Sequence, residues 1–364
     1  MGFKCGIIGL PNVGKSTIFN ALTAACAEVA NYPFCTIEPN IGMVPVPDRR
    51  LTAIAELIHP QKVTPTAVEF VDIAGLVRGA SRGEGLGNKF LGHIREVDAV
   101  VHIVRCFESP NVVHVDGTVD PLRDLDIVQV ELILADLETV EKRIEKMEKL
   151  SKVGDKDARK SLEVYHRIRD GLARGVPAIH IPRHEDFDEA LQDLHLLTAK
   201  KMLIVANISE AILKSDGEIM RKLEEKAVLE GSRVMAICGD LEAEIVELPT
   251  DERADYLKDM GLQESGLEKL IHEGYGLLDL ITFYTAVGPE LRAWTIPRGT
   301  RAPRAAGKIH TDMERGFIRA EIIHYNDFIQ LGSMHVARES GRIHAEGKDY
   351  NIQDGDIAHF RFNV

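Results

Sequence analysis

The chain has 364 residues, of which 45% are hydrophobic and 28% charged, and its formal net charge is −13. This length and composition allow two or three domains with hydrophobic cores, and they exclude fibrous, collagen-like and broadly disordered classes. No apolar run reaches the roughly 18–20 residues of a membrane span, and no secretory signal is expected. Five scattered cysteines without CxxC spacing predict a reduced, cytoplasmic chain without a zinc site. The negative charge argues against nucleic-acid binding over the whole surface and leaves only a local basic face.

Strand-like and helical segments alternate in the first third of the chain. Apolar runs end in glycine or polar residues, and the segments between them have helical spacing. Such alternation predicts an α/β fold with a mostly parallel sheet covered by helices on both faces. The predicted strands are 3–10, 68–73, 99–107, 201–207 and 233–238, and the predicted helices are 14–25, 90–97 and 217–230.

The pattern changes near Leu125, where apolar residues step by three and four between charged ones. A break at 152–156 is followed by a second helical run at 158–172, which predicts an antiparallel helical hairpin inserted into the α/β domain. Two interpretations stay open, a projecting coiled-coil arm and a pair of ordinary surface helices. The apolar seam consists of Val130, Ile133, Leu137, Val140, Ile144 and Met147.

Short β-type runs separated by Gly, Pro and Asp turns follow Leu280 and predict a small, mainly β, C-terminal domain. We therefore expect a discontinuous α/β domain, a helical insert and a C-terminal module. The expected boundaries are 1–126 with 200–280 for the first, 127–199 for the insert and 281–364 for the last.

The segment Gly9-Leu10-Pro11-Asn12-Val13-Gly14-Lys15-Ser16 fits the pattern G-x-x-x-x-G-K-[ST] between a predicted strand and a predicted helix. Glycines let backbone N–H groups curl around a β-phosphate, and the helix N-terminus adds partial positive charge. Lys15 would supply a full charge to the β- and γ-phosphates, and the Ser16 hydroxyl would ligate magnesium. The alternative is a glycine turn with an incidental Lys-Ser. The nucleotide-binding residues expected here are Asn12, Val13, Gly14, Lys15, Ser16 and Thr17.

A D-x-x-G motif, Asp72-Ile73-Ala74-Gly75, follows the second predicted strand. A carboxylate at such a strand end can hold magnesium through water, and the Gly75 N–H can meet the γ-phosphate. Thr36 lies between the first helix and the next strand, where it would complete the magnesium coordination. The alternative for Thr36 is an ordinary loop threonine.

Three segments together resemble the Obg-related translation-factor GTPases: GLPNVGKST, NYPFCTIEPN and DIAGLVRGAS with GEGLGNKFL. The helical insert, the segment 207–210 and the C-terminal module look more specifically like the YchF family, the ribosome-binding ATPases of this group. Residues 306–312 and 354–357 resemble the TGS domain, a small ubiquitin-like β-grasp module. The resemblance covers essentially the whole chain and implies a P-loop NTPase of G-domain fold, with ATP and magnesium bound and the ribosome as partner.

Asn207-Ile208-Ser209-Glu210 stands where GTPases carry N-K-x-D, whose Asp accepts two hydrogen bonds from guanine. Here Ile208 replaces the Lys, and Glu210 replaces the Asp with a longer side chain. Losing a charged bidentate acceptor costs on the order of 1–3 kcal/mol of guanine preference, roughly tenfold to a hundredfold. Asn207 can still serve the adenine amine, so we predict ATP over GTP, which the resemblance also implies. Cys238-Gly239 stands in place of the S-A-K loop and is expected to complete the base contacts.

The residue that orients the attacking water is missing, because Leu76 follows D-x-x-G where Ras-like enzymes carry Gln. Slow intrinsic turnover is therefore expected, and two substitutes stay open. Asn12 could ligate a potassium ion beside the phosphates, or it could only tighten the loop turn. His114, in a polar loop after the strand 99–107, could position water, or it could have no catalytic role. The resemblance favours His114.

Basic residues gather at the start of the C-terminal module, against the negative charge of the chain. They predict an RNA- or ribosome-facing patch that reads shape and phosphates. The alternative is a solvated loop with compensating acids such as Asp312 and Glu314. The patch consists of Arg298, Arg301, Arg304 and Lys308, and Arg315 and Arg319 could join them on one face.

Four functions are compatible with these motifs. The first is a ribosome-associated ATPase that works as a nucleotide-state switch, without a membrane partner and as a monomer. The second is an Obg-type GTPase, against which the base-reading segment argues. The third is a nucleotide-sensing protein with incidental hydrolysis. The fourth is a small-molecule kinase, which the D-x-x-G and switch pattern disfavour.

Overall fold

The computed structural model describes residues 3–27, 40–73, 86–110, 112, 114–115, 117–153, 156–183, 187–213 and 217–363. Thr36, Gly75 and Leu76 lie outside the described residues. The strands are β1 (Lys4–Ile8), β2 (Ile41–Pro45), β3 (Lys62–Thr64), β4 (Ala67–Asp72), β5 (Ala99–Arg105), β6 (Lys201–Asn207), β7 (Arg233–Ile237), β8 (Leu280–Val287), β9 (Glu290–Pro297), β10 (Phe317–His324), β11 (His344–Glu346) and β12 (Asp356–Phe362). The helices are α1 (Lys15–Ala27), α2 (Arg49–Ile58), α3 (Leu86–Glu96), α4 (Pro121–Lys152), α5 (Lys156–Ala173), α6 (Phe187–Leu194), α7 (Glu210–Leu213), α8 (Glu218–Leu229), α9 (Gly239–Glu247), α10 (Thr250–Asp259), α11 (Gly266–Leu277), α12 (Ala302–Ile309), α13 (Thr311–Arg315), α14 (Tyr325–Leu331) and α15 (Met334–Glu339).

The first sheet has the strand order β2-β4-β1-β5-β6-β7. Its central pairs are parallel: β1 with β4 and β5, β5 with β6, and β6 with β7. Every residue of β5 is buried, as expected for a strand in a sheet covered on both faces. The mostly parallel α/β fold predicted from the sequence is thereby confirmed. Because the strands are parallel, the carboxyl ends of β1, β5 and β6 meet at one edge, where the phosphate-binding loop begins.

The helical insert packs around a core of its own. Val140 and Ile144 of α4 contact a cluster that includes Tyr165 and Ile168 of α5 and Phe187 of α6. Val130, the first residue of the predicted seam, is 53% exposed and does not belong to this cluster. The apolar seam of α4 is therefore shorter than the periodicity suggested, and α6 shares in covering it. The coiled-coil interpretation stays a prediction.

The described residues divide into two compact units: 3–27, 40–43 and 69–270 in the first, and 44–68 with 271–363 in the second. This differs from the predicted boundaries, which gave 44–68 and 271–280 to the α/β domain and separated 127–199 from it. The physical reason is burial, because Leu51 and Ile54 of α2 pack in one cluster with Tyr284 and Ile323 of the second unit. Long-range packing of this kind leaves no local signal in the sequence.

The second unit is built on a sheet of order β11-β10-β12-β8-β9-β3. β8 and β9 form an antiparallel hairpin, β12 runs parallel to β8, and β10 runs antiparallel to β12. The alanine-rich face of α12 packs with Phe283 and Phe360 on one face of the sheet. A hairpin, a covering helix and a returning parallel strand are the arrangement of a β-grasp fold. Within the described ranges, no helix is long and apolar enough to cross a bilayer.

Candidate nucleotide-binding site

The loop between β1 and α1 depends on two glycines. Gly9 and Gly14 have φ of +153° and +92°, and Asn12 has φ of +62°. A Cβ on Gly9 would collide with the carbonyl oxygen of Ile103, and a Cβ on Gly14 would collide with the side-chain amide of Asn207. Both backbone conformation and close approach therefore require glycine here. This loop has the geometry that the sequence motif predicts for a phosphate cradle.

Lys15 is the buried cation of this loop and is 8% exposed. Its Nζ donates hydrogen bonds to the carbonyl oxygens of Leu10 at 2.8 Å and Gly9 at 3.1 Å. Burial lowers the pKa of Lys15 to about 8, and the charge of Asp72 acts in the opposite direction. An ammonium held under these conditions is a strong attractant for phosphate oxygens, because no carboxylate neutralises it through a hydrogen bond within the described residues.

Ser16 and Asp72 lie together beside the loop, with Ser16 Oγ donating to Asp72 Oδ2 at 3.5 Å. The other oxygen, Asp72 Oδ1, is buried and has no hydrogen-bond partner in the described part of the chain. Burial raises the pKa of Asp72, while Lys15 and Ser16 act to lower it. A partnerless carboxylate oxygen beside a hydroxyl is an oxygen donor set that a hard divalent cation prefers. These residues therefore fit magnesium.

Asn207, the last residue of β6, ties the phosphate loop to the segment after β7. Its Nδ2 donates to the Val13 carbonyl oxygen at 2.9 Å, and its Oδ1 accepts from the Gly239 N–H at 3.0 Å. Asn207 is buried, and a Cβ on Gly239 would lie 3.3 Å from its Oδ1. The side chain that sequence reasoning assigned to the base therefore also holds two loops in place.

The other base-reading residues separate into buried and exposed ones. Ile208 is 3% exposed and packs in an apolar cluster with Val104 and Cys238. Glu210 is exposed and begins α7. Burial raises the pKa of the Cys238 thiol, and the charge of Glu210 adds to that shift. Ile208 thus belongs to the core, and Glu210 is the member whose carboxylate is exposed near Cys238.

His114 does not lie free in its loop. Its Nε2 is 2.8 Å from Asp124 Oδ2, and both side chains are buried. Asp124 stands in the first turn of α4, and its Oδ1 also accepts from Nη2 of Arg123 at 3.1 Å. Sequence reasoning missed Asp124, because an acidic residue in the first turn of a helix is common on dipole grounds alone. The water-positioning role of His114 stays a prediction.

Arg105 is a second feature that the sequence reading missed. This guanidinium at the end of β5 is 1% exposed, and it donates to the carbonyl oxygens of Phe107 at 3.0 Å and Val112 at 2.9 Å. Its carbon Cζ lies 4.7 Å from the centre of the Phe107 ring, and its Nη1 has no hydrogen-bond partner among the described residues. Arg105 therefore holds in place, through these hydrogen bonds, the segment that follows β5 and leads to His114. The available signal was an arginine in a strand that is otherwise apolar except for His102.

His102, three residues earlier in β5, is also buried. Burial, with a smaller contribution from Lys15, lowers the pKa of His102 to about 3. The imidazole is therefore neutral beside the phosphate loop at physiological pH, and its Nε2 has no partner within the described ranges. Because the ring is neutral, Lys15 rather than His102 supplies the positive charge for an incoming phosphate.

Arg298 and Arg301 of the predicted basic patch have acidic partners. Arg298 forms an exposed ion pair with Asp279 at 3.1 Å, and Arg301 forms one with Asp349 at 3.2 Å. These carboxylates are not the ones that the sequence suggested as compensating residues. The pairing reduces the positive charge that this patch offers to RNA.

The strand order, the glycine-lined loop and the Lys15, Ser16 and Asp72 set define a P-loop nucleoside triphosphatase of G-domain fold. Residues 4–166 match the family model MMR_HSR1, described as 50S ribosome-binding GTPase, and residues 280–363 match YchF-GTPase_C, described as a protein of unknown function. The chain belongs to the YchF family.

Several relatives establish this membership over the full length. The protein named ribosome-binding ATPase YchF from Bacillus subtilis is 51% identical over 366 residues, with all of both chains covered. The protein of the same name from Escherichia coli O157:H7 is 50% identical over 364 residues, again with full coverage of both. The solved structure of the Schizosaccharomyces pombe YchF GTPase superposes with a TM-score of 0.90 at 36% identity, covering 99% of this chain and 98% of that one.

Proposed function

We propose that this chain hydrolyses ATP in preference to GTP, with magnesium, and that it acts in the cytoplasm as a nucleotide-state switch on the ribosome. The names of the bacterial relatives support both the nucleotide and the partner. The observation that carries the preference is the base-reading segment after β6. It buries Ile208 where GTPases place a lysine, and it presents Glu210 in place of their aspartate.

The chain's own residues perform most of the phosphate chemistry. Lys15 would turn from the carbonyls of Gly9 and Leu10 toward the β- and γ-phosphates and hold their charge. Ser16 and Asp72 would hold magnesium, with Thr36 expected to join them. Bound magnesium would neutralise charge on the phosphate oxygens. Gly75 is expected to donate its N–H to the γ-phosphate.

Base preference is tested by equilibrium affinities for ATP and GTP with magnesium. Wild type is expected to bind ATP about tenfold or more tightly than GTP, and Glu210→Asp is expected to narrow that gap by restoring the shorter acceptor. The change Ile208→Lys is unsuitable, because residue 208 is buried in an apolar cluster. Glu218→Asp is the matched control, since Glu218 is also an exposed glutamate that begins a helix. A wild type that binds GTP at least tenfold more tightly would make this an ordinary GTPase.

Turnover with and without ribosomes tests the switch. Slow hydrolysis that ribosomes accelerate is expected, because Leu76 cannot orient water.

His114→Ala should lower kcat with little change in the ATP affinity if His114 positions water. Asn12→Ala should abolish any rate difference between potassium and sodium buffers if Asn12 ligates potassium. Equal turnover with and without ribosomes would favour a nucleotide sensor, and sedimentation would test the expected monomer.

A further inference from the structure

Two arginines lie side by side on neighbouring strands in the sheet of the second unit. Arg319 of β10 and Arg361 of β12 are directly paired in the antiparallel register. Like charges directly opposite each other on neighbouring strands destabilise a sheet. The pair therefore needs a counter-charge, and it places two guanidinium groups side by side at the surface.

One carboxylate, Glu321, holds these arginines. Arg361 donates to it through Nε and Nη2, both at 3.1 Å, and Arg319 donates through Nη2 at 3.0 Å. Nη2 of Arg338 in α15 lies 4.0 Å from the same carboxylate, and Nδ1 of His359 lies 3.8 Å from it. The arginines, Arg361 first, lower the pKa of Glu321 to about 2, so it stays ionised. No other carboxylate of the described residues pairs with Arg319, Arg338 or Arg361.

These residues leave an uncompensated positive charge at the surface. Three guanidinium groups meet a single carboxylate. When His359 is neutral, this cluster therefore carries two positive charges in excess. The arginine side chains are 45–68% exposed, whereas Glu321 is 15% exposed. The carboxylate therefore lies beneath the guanidinium groups and leaves their outer N–H donors accessible. Arg298 and Arg301 of the sequence-predicted patch each have an exposed carboxylate of their own instead.

We propose that Arg319, Arg338 and Arg361, here called the arginine face, bind the phosphate backbone of ribosomal RNA. The inference deepens the proposed function and rests on the ribosome being the partner. Guanidinium groups match phosphate oxygens in a bidentate geometry, and a pair on neighbouring strands presents two such groups side by side. RNA fits better than an acidic protein segment, because ribosomal RNA offers densely spaced phosphates in a fixed arrangement. A flexible acidic segment would first have to become ordered before it could contact the guanidinium groups.

The test uses the full-length protein and measures binding to 70S ribosomes across a range of salt concentrations. Arg319→Gln with Arg361→Gln is expected to weaken binding about tenfold, and to reduce the slope of log affinity against log salt by about one to two. Arg298→Gln with Arg301→Gln is the matched control, because it removes the same charge from residues that have carboxylate partners. It is expected to change affinity less than threefold. Basal ATP turnover should be unchanged in both pairs.

Glu321→Gln separates binding from folding, because it is expected to act in the opposite direction. Removing the carboxylate frees positive charge, so ribosome affinity should rise about threefold or more even if the melting temperature falls. A merely destabilised domain would not bind more tightly. An affinity for Glu321→Gln equal to or below that of wild type would overturn the proposal.

Competition for ribosome binding distinguishes RNA from an acidic protein as the ligand of the arginine face. Polyuridylate should compete with ribosomes for wild type but much less for the arginine pair variant, and polyglutamate of equal charge should compete poorly. Stronger competition by polyglutamate would assign the face to an acidic protein and overturn the RNA proposal. Absence of ribosome binding by wild type would refute the proposed function, whereas wild-type binding that the arginine changes leave intact would refute the arginine face alone.

Discussion

Gly14 lies so close to the Asn207 side chain that it cannot gain a Cβ unless that side chain moves. Because a Cβ on Gly14 would collide with the Asn207 amide, Gly14→Ala should displace the side chain that connects Val13 to Gly239. The positive φ of Gly14 adds backbone strain. We expect ATP affinity to fall more than tenfold.

The matched control is Gly92→Ala, and isothermal titration calorimetry measures the ATP affinity of both variants. Gly92 lies inside α3, and an added Cβ there meets no atom within 4 Å. Alanine should stabilise that helix by up to about 1 kcal/mol and leave ATP affinity unchanged. Equal affinity losses in the two variants would contradict the close-approach argument.

Lys15 makes ATP binding depend on pH in a defined direction. Its pKa is about 8 in the folded chain, against an ordinary value of 10.5. Its contribution to stability is therefore full above about 10.5, and it is lost as pH falls toward 8, because folding releases the proton across this window. Bound phosphates restore the charged form, so ATP binding at pH 8.5–9 should take up a fraction of a proton.

Calorimetry in buffers of different ionisation enthalpy measures this uptake. His102, Asp72 and the phosphate loop are the neighbouring groups, and His102 titrates far below the window because its pKa is about 3. Proton uptake that disappears at pH 6.5 is the expected result. Uptake that is the same at pH 6.5 and pH 8.5–9 would assign the proton to another group.

The sequence could predict the phosphate loop because its contacts are local: the glycines, Lys15 and Ser16 lie within eight residues on one strand–loop–helix unit. It could not predict the pair of His114 with Asp124, since a buried partner in the next helix looks like an ordinary first-turn acid. Arg105 was missed for a related reason, because its acceptors are backbone carbonyls that any sequence supplies.

At the scale of elements, the helical insert depends on burial rather than on helix propensity. Val140 of α4 is fully buried in the insert cluster, whereas Val228 of α8 is 78% exposed. Val140→Ala should lower the free energy of unfolding by about 1.5–3 kcal/mol, measured by urea denaturation. Val228→Ala should change it by less than about 0.5 kcal/mol. Because both positions are helical, the comparison removes helix propensity from the difference, and similar losses would show that the insert core contributes little.

Periodic elements were predicted well and short ones were not. β6 has the predicted bounds, Lys201–Asn207, because a buried parallel strand forms a continuous apolar run. α2 and β3 were not predicted. Only Leu51 and Ile54 of α2 are buried, and β3 has three residues, so neither offers a long pattern.

At the scale of the whole chain, the second unit is assembled from distant segments. Residues 44–68 contribute α2 and β3, and β3 pairs in parallel with β9. Arg50 forms an ion pair with Asp354 at 2.8 Å, and Asp48 accepts a hydrogen bond from the Tyr284 hydroxyl. The family model for the C-terminal region covers only 280–363, so it omits a segment that this unit packs into its core.

A fragment of residues 271–364 should therefore fail to fold cooperatively, because it lacks the side chains that bury Tyr284 and Ile323. Fusing residues 44–68 to it through a Gly/Ser linker should restore a cooperative thermal transition and dispersed amide resonances. The matched control is the same fusion with Leu51→Asp and Ile54→Asp, which should behave like the bare fragment because each aspartate would bury an unpaired charge. A bare fragment as stable as the fusion would show that α2 and β3 contribute little to the stability of the β-grasp sheet.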